Sequence, residues 1–127
     1  MKKEEIQLTI WEKAKGEIKA ILIHRAKHRG MIAYSELTAQ TSTIHFDLES
    51  ADWRSLLAQM LGEISREEDA IGRGMLSALV VHKREDMQPG EGFFHLAKEL
   101  GRDTTDKLTC WVREIHKIYV VWTREGK

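Results

Sequence analysis

The chain has 127 residues, 42% of them hydrophobic, enough for one domain to bury its own core without disulfide or metal staples. Twenty basic and twenty acidic side chains cancel, so no overall field draws it to nucleic acid or to an anionic membrane; such binding would need a local patch. Cys110 is the only cysteine, which excludes an internal disulfide, and Met1 is followed by Lys2, Lys3, Glu4 and Glu5 rather than by an apolar signal core. A single cytoplasmic domain over residues 1–127 is the expectation.

Along the chain, Ile6, Ile10, Trp11, Ala14, Ile18, Ile21 and Leu22 recur at helical spacing, and Gly30 is a natural stop, which predicts a long first helix. Met31 to Tyr34 is a brief apolar extension, and Ser35 can cap a short second helix through Ala39. Thr41 to Glu49 alternates Ile44, Phe46 and Leu48 with polar residues, as in an extended connection resting one side on the domain. Ser50 then caps a helix to Ser65, whose stripe of Trp53, Leu56, Leu57, Met60, Leu61 and Ile64 must face the core.

Leu76 to Lys83 carries apolar groups on both faces and predicts a central strand. Asp86 to Gly92 is a turn around Pro89, after which Phe93, Leu96, Ala97 and Leu100 resume helical spacing up to Gly101. Of the Phe93-Phe94 pair, one ring is expected in the core and the other half-exposed. Leu108, Val112, Ile115, Tyr119 and Trp122 step by four and three, which favours a last helix starting near Thr104.

This order predicts an α+β fold, a mostly helical, winged-helix-like domain with a small β-sheet. Ile32 to Leu37, the Trp53 to Ile64 helix, Arg73, Leu76-Ser77-Ala78-Leu79-Val80-Val81 and Pro89-Gly90-Glu91-Gly92-Phe93-Phe94 together resemble an uncharacterised bacterial family. That resemblance implies a small winged-helix-like domain and carries no activity. Tyr34-Ser35-Glu36-Leu37 also resembles the helix-turn-helix half of DNA alkyltransferase-like proteins. Where that family has its Pro-Cys-His-Arg run, this chain reads Leu79-Val80-Val81-His82-Lys83-Arg84, and Cys110 lies in an apolar helix as a buried, unreactive thiol. Alkyl transfer is not implied.

A DNA reading would lay the Ser50 helix in the major groove, but residues 31–70 hold Arg54 and Arg66 against eight acids, a balance of minus six. Positive charge collects at the end of the first helix, at Arg25, Lys27, His28 and Arg29, where the helix dipole favours it and where a nucleic-acid contact is the alternative. His24 and His28 stand one turn apart, a chelating spacing without a third ligand in the pattern. No metal cage, phosphate loop or nucleophile motif is present, so neither a cofactor nor a catalytic residue is predicted. Gly90-Glu91-Gly92 falls short of a nucleotide fingerprint, and Glu91 would repel the anion.

The reading that remains is a non-enzymatic protein-interaction or regulatory module with an unidentified protein partner, using Arg73, Ser77, Met87, Pro89, Gly90, Glu91, Gly92 and Phe94. Nucleic-acid binding through the basic cluster is the first alternative. The second is an enzyme with an unrecognised site near Arg73, His82 and Glu91.

Overall fold

The computed structural model describes residues 2–83 and 88–125. After a 3-10 turn at Lys3–Glu5 come α1 (Leu8–Lys27), β1 (Ile32–Ala33), α2 (Tyr34–Gln40) and α3 (Ala51–Ala70). A second 3-10 turn (Leu76–Leu79), β2 (Val80–Val81), α4 (Glu91–Glu99) and α5 (Lys107–Glu125) complete the order. The fold is mostly helical, with a two-stranded parallel sheet pairing Ile32 with Val80 and Ala33 with Val81. Among the described residues no helix is long and apolar enough to cross a membrane.

α1 buries Trp11, Ala14, Ile18, Leu22 and Ala26, a stripe stepping by three and four, while Ile10 lies outside it at 39% exposure. Ser50 caps α3 as expected, its hydroxyl accepting the Trp53 N–H at 3.4 Å. Ser35 does not cap α2. That helix begins at Tyr34, two residues earlier than a Ser35 cap would place it, and the Glu36 carboxylate reaches back to accept the Ala33 N–H at 3.2 Å. Ile44 and Phe46 are buried from the extended connection, which pairs with no strand among the described residues.

α3 continues five residues past the expected end at Ser65, because its buried face continues with polar groups. Ser65 meets Ser77, and the Glu68 carboxylate, 1% exposed, receives Lys19 and Arg73, each at 3.1 Å. Charged and hydroxyl residues read as solvent-facing in a periodicity argument, whereas here each is paid for by a partner on another element.

The central strand predicted over Leu76 to Lys83 is corrected to a buried 3-10 turn followed by two residues of strand. Leu76, Ala78 and Leu79 are fully buried because the turn is wedged among α1, α3 and α5, so every face of it meets protein. A short apolar run has no periodicity with which to distinguish strand from buried helical turn. The Trp111 indole N–H donates to the Ala78 carbonyl at 2.8 Å, satisfying a backbone group that a strand would have paired.

α5 is helical as predicted, but its face is rotated. Cys110, Glu114, Ile118 and Trp122 are buried, stepping by four, whereas Leu108 and Val112 are each 53% exposed. A carboxylate in the buried row disguised it. Phe93 and Phe94 are both buried, packed edge to face at 5.2 Å, so the expected division between them is corrected.

Because Leu57 is 1% exposed and Gln59 lies on the outer face of α3, Leu57→Ala is expected to cost about 2–3 kcal/mol and Gln59→Ala almost nothing. The Leu57 figure sits low in the usual range because its outer side borders an open groove and leaves no sealed cavity. Urea melts of the two variants check it.

Candidate functional site

Gly62 on α3 faces Leu96 on α4, and Arg66 is ion-paired with Glu99, so the two helices run side by side in the same direction. Between them lies a groove of about 760 Å³. Its buried apolar lining is Leu57, Leu61, Phe93 and Leu96, and the exposed side chains Arg54, His82, His95 and Glu99 stand on its rim. The small residues Ala58 and Gly62, four apart on α3, keep it open.

At the start of α4 the groove meets an aromatic pair. The Tyr34 and His82 rings stack 4.5 Å apart and 25° from parallel. Burial pushes the Tyr34 phenol up from its ordinary pKa, with a contact to the Gly90 backbone opposing it. The His82 backbone N–H donates to the Gln88 carbonyl at 3.0 Å, next to Pro89, which is buried. Ser77 lines the groove from the core side, with its hydroxyl 2.6 Å from that of Ser65 and its N–H donating to the Ser65 hydroxyl at 3.0 Å.

Of the residues expected to form a partner surface, Ser77, Gly90 and Gly92 line this groove and Pro89 adjoins it. Arg73 does not. It reaches Glu68 and lies 4.8 Å over the Trp122 ring, tying α3 to α5. Phe94 is a core residue with the Lys107 ammonium 5.4 Å from its ring centre. Glu91 is exposed and paired with Lys107 at 2.8 Å, which holds its carboxyl below the usual range. Glu91→Gln should therefore leave stability near wild type. Met87 and Arg84 lie outside the described residues.

The turn glycines differ in a way that sequence could not show. A Cβ at Gly90 would come 3.1 Å from His82 Nε2 and 3.5 Å from the Tyr34 hydroxyl, whereas one at Gly92 would meet nothing within 4 Å. Of the two, Gly90 alone resists a side chain. Gly90→Val is expected to destabilise by about 1–3 kcal/mol through overpacking against the ring pair, while Gly92→Ala should stabilise by up to about 1 kcal/mol. Thermal melts of the pair measure both signs.

The basic residues gather at the end of α1 as predicted. The Arg25 guanidinium donates to the Met31 carbonyl at 2.7 Å, and Arg29, at φ 53°, lies 5.9 Å from the Tyr119 ring. Lys27 and His28 are exposed. His28 Nδ1 is 2.8 Å from the His24 carbonyl oxygen, which can only accept, so that nitrogen carries the proton. Cys110 is buried, and burial pushes its thiol up, as fits an inert sulfur.

Sequence reasoning did not find Tyr34, Arg54, Ala58 or Phe93 as site residues. The available signal was Ala58 and Gly62, two small residues four apart beside the apolar stripe of α3. No family model, curated protein or solved structure matches this chain.

Proposed function

We propose that the protein is an interaction module, built on a helical, winged-helix-like scaffold, whose α3–α4 groove receives an apolar helical segment of a partner protein. The observation that carries this reading is the groove itself, about 760 Å³ and lined by Leu57, Leu61, Phe93 and Leu96 beside the buried Pro89 turn. An open apolar cleft between two helices fits the ridge of a third, whose side chains at i, i+3 or i+4 and i+7 fill it. Of the three groups on which an enzyme reading would rest, His82 lines the groove, whereas Arg73 reaches Glu68 and the Trp122 ring and the Glu91 carboxylate is paired with Lys107. As for nucleic acid, none of the basic residues at the end of α1 lines the groove, so binding there would be a separate contact, weak and salt-sensitive.

The test is affinity capture from source cells in parallel with Ala58→Glu, which puts a charge into the groove from an exposed position and leaves the core intact. A polypeptide held by the wild type and lost by the variant, with α3 and α4 protected from hydrogen exchange in the complex, is the expected result. Retention indifferent to Ala58→Glu, or of nucleic acid alone and released by salt, overturns the proposal.

A further inference from the structure

Five lining side chains of the groove carry a full charge, and four of them form two pairs, Lys3 with Glu63 at 2.7 Å and Arg66 with Glu99. The fifth is Arg54. Its Nη1 donates to the Leu48 carbonyl at 2.7 Å, and no described carboxylate pairs with it. A guanidinium has five N–H donors in a planar fork, so one carbonyl leaves most of its capacity directed elsewhere. Arg54 opens α3 and His82 precedes the turn into α4; with the helices running in the same direction, both stand toward the end of the groove where these helices start. That end therefore offers hydrogen-bond donors and a positive charge that no described carboxylate neutralises, while the length of the groove offers mainly apolar surface, with the polar side chains of Gln59 and His95 and two ion pairs beside it.

Resting on the interaction reading above, we infer that the occupant is an amphipathic helix carrying a carboxylate, Asp or Glu, placed to meet Arg54 as its apolar stripe covers Leu57, Leu61, Phe93 and Leu96. A lysine or arginine at that position would face Arg54 with like charge. A neutral side chain would leave the guanidinium beside an apolar surface with its donors turned to solvent. The carboxylate thus sets the direction in which the helix lies as well as its affinity, because one end of the groove has a mate for it and the other is closed by the Arg66 and Glu99 pair.

Three synthetic helical peptides test this on the full chain by fluorescence anisotropy. They share one leucine stripe at i, i+4 and i+7 and differ in a single flanking position, Glu, Gln or Lys. The Glu peptide is expected to bind about three- to fivefold tighter than the Gln peptide, the scale of an exposed charge pair, and the Lys peptide weakest. The preference should shrink as salt rises and vanish in Arg54→Gln, with wild-type melting of that variant confirming its fold, while Arg54→Lys keeps part of it. Equal binding of all three peptides overturns the carboxylate inference and leaves the groove reading standing. Binding of none overturns both, and a preference that survives Arg54→Gln assigns the charge to another site and overturns the role of Arg54.

Discussion

Glu114→Ala is expected to cost about 3–5 kcal/mol in urea unfolding, as loss of one member of a buried ion pair does. Glu114 projects from α5 into the core at 4% exposure, where its carboxylate accepts the Met75 N–H at 2.8 Å and the Arg102 Nε and Nη2 hydrogens at 3.0 and 3.1 Å. Arg102 bridges in turn to Asp69 on α3. Alanine would leave the buried Met75 N–H without its acceptor and Arg102 with only Asp69 and the Leu100 carbonyl, at the point where α5 grips the segment leading into the central turn. A loss below about 1 kcal/mol would mean that the group is effectively solvated. The same network sets an acid limb. Arg102 holds the Asp69 carboxyl below its ordinary value, burial opposing, so the stability that Asp69 contributes is complete above about pH 4, the unfolded value, and is lost as pH falls through the folded one. Asp69→Asn should flatten that limb of the stability profile.

Gly74→Val is expected to cost about 3 kcal/mol or more, combining two penalties. Gly74 has φ +90°, a region that side chains rarely adopt, and a Cβ there would lie 3.1 Å from Glu114 Oε2 and 3.2 Å from Ile118 Cγ1. Neither neighbour is free to yield: the carboxylate is held by Arg102 and Met75, and Ile118 is fully buried. Gly72, at φ +79° with nothing within 4 Å, isolates the backbone term, so Gly72→Val should cost clearly less than Gly74→Val. Because Gly74 and Glu114 touch, Gly74→Ala combined with Glu114→Ala should cost less than the sum of the single changes. Additivity would separate the glycine from the ion-pair network.

Helices α1, α3, α4 and α5 were legible because each carries several apolar residues at helical spacing, with Ser50 and Gly101 marking a start and a stop. The misreadings share one cause. Ser65, Glu68 and Glu114 are polar yet buried, so hydrophobic pattern stopped α3 early and turned α5 toward Leu108 and Val112, which face solvent. Likewise Leu76 to Leu79 is buried on all sides because three helices surround it, a circumstance that local sequence does not encode.

The candidate site divides in the same way. The sequence alone determined that the Pro89 turn starts a helix on glycine, that α3 has one apolar face with small residues beside it, and that positive charge collects at the end of α1, since each follows from short-range stereochemistry or helical period. Only the tertiary structure decided that Arg73 turns away to Glu68 and Trp122, that Glu91 belongs to Lys107, and that Gly90 but not Gly92 is crowded. The groove with Arg54 on its rim belongs to this second group as well, because it exists only through the way α3 and α4 lie side by side, and residues 54 and 96 are brought to one surface by packing rather than by any spacing along the chain.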